Sequence, residues 1–305
     1  MSSSSSQVSV TRRRLTTTGA FALAVATAAT LATAPASAAP RPVQDYKGFI
    51  VSPARTQISF TYSPTGFVAG TRNQHEARPG LSIVKLYIAD YVFKHGTPAD
   101  KARASEMIRT SSDAIASQLY RKYPQSIAAT ARTYGLRNIH SNAHWGYART
   151  SSFDSMKFVE AKKRRNYNDP VLVAMRQATP RAADGYAQDY GTAVLPGAVG
   201  TKWGWSDDRR SVHASVSYGR DFTVSANTWG NKHALTNDVR GAFRGTMGAP
   251  GRPAPGRQLT PVQQAATNWA NDMERAALNA PGSSVNERAI RDARRGLDPW
   301  IMRLP

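Results

Sequence analysis

Gly80-Leu81-Ser82-Ile83-Val84-Lys85-Leu86-Tyr87-Ile88-Ala89-Asp90-Tyr91-Val92-Phe93-Lys94-His95-Gly96 decides how the rest of this 305-residue chain is read. From Ile83 to Phe93 nearly every face of a helix would be apolar, with only Lys85 and Asp90 interrupting. Such a helix belongs inside a domain, not on its surface. Gly96 supplies a stop and Pro98 follows it. At its start, Ser82 and Lys85 stand three residues apart and so share a face. Burial disfavours the charged form of a lysine, which makes Lys85 a candidate base. A serine hydroxyl beside a neutral amine is the arrangement of an activated nucleophile.

Upstream, residues 39–55 read as an extended lead-in. Thr56-Gln57-Ile58-Ser59-Phe60-Thr61-Tyr62 alternates polar and apolar and predicts a strand, followed by a Ser63-Pro64-Thr65-Gly66 turn and a partner strand at 67–70. Downstream, 99–110, 113–123 and 125–134 carry helical patterns, with an irregular polar stretch at 140–150. Helices follow at 151–165 and 169–177, the second capped by Asp169 with Pro170 in its first turn. A Gly-, Tyr- and Asp-rich loop runs to Pro196. Strands at 198–205, 212–218 and 222–228 form a meander, and 234–243 is a returning helix. From Arg244 to Thr260 Gly, Pro and Arg dominate, as in a linker. Helical segments at 261–279 and 284–296 end the chain. Helices set between antiparallel strands predict an α+β fold: a sheet of about five strands flanked by helices, plus an all-helical lobe, with a cleft between lobes.

Hydrophobic residues make up 41% of the chain, enough for a core, and cysteine is absent, which excludes disulfides and thiolate metal sites. The net charge of +20 implies a polyanionic environment, either nucleic acid or anionic wall polymers and lipids. The N-terminus chooses between them. Thr11-Arg12-Arg13-Arg14-Leu15 fits a twin-arginine signal, a weakly apolar run spans 19–32, and Ala36-Ser37-Ala38 is a small-x-small cleavage site. The expected domains are a signal peptide at 1–38, a main domain at 39–243, the 244–260 linker and a helical extension at 261–305. An exported, secreted or wall-associated protein without a membrane span after cleavage is expected, with no nucleic-acid partner.

Two further patterns follow Ser82-x-x-Lys85 in order. Met107-Ile108-Arg109-Thr110-Ser111-Ser112-Asp113 places a serine two residues before a small polar side chain, at a junction of helices. Lys202-Trp203-Gly204 opens the meander. The ordered set S-x-x-K, S-x-[N/D] and K-x-G resembles the penicillin-binding protein and class A β-lactamase superfamily of serine hydrolases, over roughly residues 56–243. The resemblance implies Ser82 as the acylated nucleophile, Lys85 as its base and Ser111 as a proton relay. Lys202 would keep those groups in working protonation states and attract a substrate carboxylate. The backbone N–H groups of Ser82 and Trp205 would form the oxyanion hole. Asp113, Trp203 and Gly204 fall at substrate-binding positions. The implied partner is a peptidoglycan-type peptide or a β-lactam, and no metal or organic cofactor is implied.

The chain also departs from that pattern. Trp203 stands where the superfamily has Thr or Ser, so an indole would cover the site or stack on a sugar. Asp113 replaces an asparagine, adding a negative charge that needs Lys85 or Lys202 as partner. No Glu-x-x-Leu-Asn segment lies between Ser111 and Lys202, so efficient β-lactam hydrolysis is not expected. Bland readings stand beside these. Ser111 serves equally as a helix cap. Trp203, Trp205 and Trp229 also suit a core or sheet face. Lys162-Lys163-Arg164-Arg165 reads as a solvated helix end. His140 and His144 lack the surroundings of a metal site.

Overall fold

The alternation at 56–62 becomes a strand, β2 (Thr56–Tyr62), and the computed structural model places it next to the middle of a five-stranded antiparallel sheet. The structure describes residues 39–247 and 260–278, together with 290, 293, 294, 296, 297, 300 and 301. The expected signal peptide, residues 248–259 of the linker and most of the last helical segment lie outside the described residues.

β1 (Pro40–Pro42) precedes β2, and β3 (Phe67–Gly70) returns from it through the expected turn. β4 is the short Arg78–Pro79 strand, and β5 is Arg149–Thr150, its antiparallel partner. The meander is β6 (Gly200–Trp205), β7 (Val212–Tyr218) and β8 (Phe222–Trp229). The sheet order is β3-β2-β8-β7-β6, so β6 is an edge. β9 (Phe243–Thr246) pairs with β1. Residues 244–246, read above as the start of the linker, therefore belong to the folded domain.

The helices are α1 (Lys85–His95), α2 (Pro98–Thr110), α3 (Asp113–Lys122), α4 (Ser126–Tyr134), α5 (Ser152–Arg165), α6 (Pro170–Arg176), α7 (Lys232–Ala242) and α8 (Pro261–Leu278). α1 is the core element that its composition predicts. Leu86, Tyr87, Ile88, Ala89 and Val92 are fully buried, in one cluster with residues from α2 to α6 and with Ala214, Val216 and Tyr218 of β7. Among the described residues, no helix is long and apolar enough to cross a membrane.

Strand alternation divides the sheet into two faces. Ile58, Phe60, Val224, Ala226 and Trp203 meet Leu235, Val239 and Ala242 of α7 in a second apolar cluster. On the other face β2 and β8 turn polar residues inward against α5. The Ser152 N–H donates to Gln57 Oε1 at 2.6 Å, Ser59 Oγ and Ser152 Oγ are 3.0 Å apart, and Thr223 Oγ1 donates to Glu160 Oε2 at 2.7 Å. Polar groups tolerate burial here because they pair with one another.

The two charges that interrupt the α1 sequence are both buried. Asp90 accepts from Lys162 Nζ at 2.5 Å and Lys94 Nζ at 2.6 Å, and Lys162 also pairs with Asp169 at 2.6 Å. This corrects the solvated reading of Lys162 and Lys163. Arg164 and Arg165 are exposed, but Lys162 turns inward to Asp90 of α1 and to Asp169, and Lys163 to Glu160 on α5 itself and to the Gly219 and Phe222 carbonyls.

Candidate active site

The nucleophile candidate sits in a 3-10 turn, Leu81–Val84, that runs directly into α1. In 3-10 geometry side chains at i and i+3 eclipse, which sets Lys85 over Ser82 more directly than an α-helix would. Lys85 Nζ lies 2.6 Å from Ser82 Oγ, and the lysine is fully buried. Leu81, immediately before the serine, holds a left-handed backbone at φ 50°. A bulky residue in that region is strained, and such strain persists only where the surroundings enforce it. They do so here: the Gly80 N–H donates to Ala148 O at 2.9 Å, and a Cβ on Gly80 would stand 2.9 Å from that same oxygen.

Ser111 is the C-cap of α2, at φ 56° and ψ 27°, and its neighbour Ser112 is the N-cap of α3, accepting from the Ile115 N–H. The capping role thus falls to Ser112, which leaves the Ser111 hydroxyl for the cleft. Lys202 Nζ donates to Ser111 Oγ at 2.7 Å, and Lys85 Nζ reaches Ser111 O at 2.6 Å and Ser111 Oγ at 3.5 Å. Asp113 opens α3 with its carboxylate bonded to Lys85 Nζ. The Trp145 ring lies 4.7 Å from Lys85 Nζ, and its Nε1 donates to Ser117 Oγ at 3.0 Å.

Burial pushes Lys85 below the ordinary lysine range, although the Asp113 carboxylate opposes the shift. Burial pushes Lys202 down much further, the nearby Lys85 charge adds to the shift, and Asp113 and Asp184 oppose it. Both amines are therefore poised to accept a proton.

Gly204 brings β6 against the nucleophile. A Cβ there would stand 2.7 Å from Leu81 Cβ and 2.9 Å from the Ser82 backbone nitrogen. The Ser206 N–H donates to Val212 O, so residues 200, 202, 204 and 206 direct their backbone groups at β7. The N–H of Trp205 consequently faces away from β7, toward the open edge of the sheet. Trp203 does not line the cleft, which corrects its placement among substrate-binding residues. It faces opposite to Lys202 by strand alternation, and its Nε1 donates to Tyr190 O at 2.9 Å within the α7-side core.

The cleft in front of Ser82 has a volume of about 750 Å³. Ser111, Asp113 and Trp205 line it as the sequence predicts, and Trp145, Tyr147, His144, Asp184, Asp207 and Arg209 join them. Trp205 stacks on Tyr186 at 4.9 Å between ring centres and donates to Asp184 Oδ2 at 3.0 Å. These additional residues come from the irregular 140–150 stretch, the Tyr- and Asp-rich loop and the β6–β7 turn. None of those segments has a periodicity that would have marked them. Among the described residues no glutamate lines the cleft; Glu160 is paired with Lys163 on the buried face of α5.

No family model matches the chain, and no curated protein is similar to it in sequence. Among solved structures it is similar to a β-lactamase from a halotolerant bacterium, at 10% identity and a TM-score of 0.50, over 62% of this chain and 92% of that one. A penicillin-binding protein of Listeria monocytogenes in its cefotaxime-bound form matches at 14% identity and a TM-score of 0.46, over 61% of this chain and 94% of that one. A D-alanyl-D-alanine carboxypeptidase from Mycobacterium tuberculosis matches at 17% identity and a TM-score of 0.45, over 80% and 99%. The first similarity, together with the five-stranded sheet and its helical region, identifies the architecture: at low sequence identity, this chain has the β-lactamase/transpeptidase fold.

Proposed function

We propose that the protein is an exported serine acyl-transfer enzyme that acts on a peptide or amide, with a D-alanyl peptide of the cell wall as its substrate class. The observation that carries this reading is the buried Lys85 amine 2.6 Å from Ser82 Oγ, in a cleft that opens to solvent. Lys85 takes the Ser82 proton as Oγ bonds to the substrate carbonyl carbon. The carbonyl electron pair moves to oxygen, facing the N–H groups of Ser82 and Trp205. On collapse the C–N bond breaks, and the leaving nitrogen takes the Ser111 proton while Ser111 recovers one from Lys85. Lys202, bonded to Ser111 Oγ, supports that relay. Water or an amine then releases the acyl group. The sequence holds no Glu-x-x-Leu-Asn segment between Ser111 and Lys202, so slow release is expected and efficient β-lactam turnover is not.

The test is covalent labelling of the mature protein by a fluorescent penicillin, read by intact mass, beside Ser82→Ala. A stoichiometric adduct present in the wild type and absent from Ser82→Ala is the expected result. Labelling that persists in Ser82→Ala would place the nucleophile elsewhere. A second reading is favoured by the +20 charge and by the loss of the third-motif hydroxyl at Trp203. It makes the chain a catalytically weakened module held to anionic wall polymers. Binding to isolated cell walls without any adduct would select it.

A further inference from the structure

The Lys85 amine has more partners than a simple base requires, and their chemistry fixes its orientation. A neutral amine offers two N–H donors and one lone pair. Around Nζ stand Ser111 O and an Asp113 carboxylate oxygen, both able only to accept, and Ser82 Oγ, which can donate. One arrangement satisfies all three. The two N–H groups go to Ser111 O and Asp113, and the lone pair faces the Ser82 hydroxyl. With a neutral amide at 113 that constraint is lost, because Ser111 Oγ at 3.5 Å then competes for the second N–H.

We propose that Asp113 is the third member of a Ser82–Lys85–Asp113 triad, a positioning residue that aims the Lys85 lone pair at Ser82 and stabilises the ammonium formed during acylation. This rests on the acyl-transfer reading above. In the step itself the Ser82 O–H bond breaks, the proton joins Nζ, and Oγ bonds to the carbonyl carbon. Positive charge thus appears on Lys85 beside a carboxylate already in contact, as an imidazolium does in a Ser-His-Asp triad. Asp113 is suited to carry that charge, since the first turn of α3 favours an anion and its side chain is 70% exposed.

The groups facing Lys85 are few. Asp113 comes from α3, Lys202 from β6, Asp184 from the loop that precedes β6, and the Trp145 ring from the 140–150 stretch. Lys202 opposes charge on Lys85, and Asp184 favours it without touching it. Among the described residues, only Asp113 combines contact with opposite sign.

The experiment compares the wild type, Asp113→Asn and Asp113→Glu. Labelling by a fluorescent penicillin is followed across pH, and the Lys85 titration is read separately by NMR of ¹³Cε-lysine, assigned with Lys85→Arg. Removing the carboxylate removes what holds the proton on Lys85. Asp113→Asn should therefore label at least about tenfold more slowly at its plateau, with both its rising limb and the Lys85 midpoint moved to lower pH. Asp113→Glu should recover part of each. An unmoved limb and midpoint in Asp113→Asn overturn the triad. Slower labelling with both unmoved also overturns it, and makes Asp113 a substrate contact. No adduct in the wild type at any pH overturns the acyl-transfer reading instead, and the Lys85 midpoint alone then decides whether Asp113 governs the amine.

Discussion

Two pairs of buried lysines, Lys85 with Lys202 in the cleft and Lys162 with Lys163 beneath α5, differ in the carboxylates within reach. Lys162 touches Asp90 and Asp169. Burial pulls its proton affinity down, but those two hydrogen-bonded carboxylates outweigh the pull and hold it above the ordinary value. Lys163 touches Glu160, and Lys85 touches Asp113; in both, burial prevails over the single partner and the value falls. Lys202 bonds to the Ser111 hydroxyl with no carboxylate in contact among the described residues, and burial lowers it as well. The same side chain is thus a structural cation or a chemical base according to how deeply it is buried and which carboxylates are supplied to it.

Substitutions along this series should separate the two roles. The largest effect on stability is expected from Lys162→Met. It takes from Asp90 one of its two lysines and from Asp169 the lysine at 2.6 Å, and should cost about 3 kcal/mol in urea unfolding at neutral pH. Whatever protein folds should still label at Ser82. A loss within about 1 kcal/mol would mean that those carboxylates find other partners. Lys202→Met should do the reverse: abolish labelling and leave stability at neutral pH at least as high. Its pH dependence carries a definite sign. A lysine lowered in the folded state leaves the unfolded chain holding more protons, so stability should rise from neutral pH toward the ordinary lysine value of 10.5. Lys202→Met should flatten that rise, and an unchanged slope would contradict a depressed Lys202. Lys162 has the opposite sign, its contribution being full below 10.5 and lost as pH passes its raised value. The smallest effect is Ser112→Ala, which removes the α3 cap. It should cost about 1 kcal/mol and slow labelling only by loosening Asp113.

The residues that form regular elements were legible because their periods are strong. The alternation at 56–62 and 212–218 and the apolar run before Gly96 match β2, β7 and α1. The ordered serines and lysines were read as a candidate site from their resemblance to the three motifs of a known superfamily; Ser82, Lys85 and Ser111 fall at element ends, and Lys202 inside β6. Partner chemistry was not legible. The polar face of β2 reads as solvent-facing, yet it is buried because α5 returns matching polar groups from a hundred residues away. Lys162 and Lys163 read as a charge run for the same reason. Trp203 carries no mark of its side, since an indole suits both faces of a strand, and Trp145, Asp184 and Arg209 lie in segments without period.

The sheet order has a consequence in time. The Thr56 and Thr228 hydroxyl oxygens are hydrogen-bonded at 2.5 Å, 172 residues apart in the chain. During synthesis β2 and β3 emerge long before β8, so half of the β2 ladder is unmade until then. Ser82 and Lys85 are adjacent from the outset, but Gly204 and Lys202 reach them only when the last strands close the sheet. Folding is thus governed by a slow, long-range closure, and the nascent chain stays without a finished site until nearly the whole domain has been made.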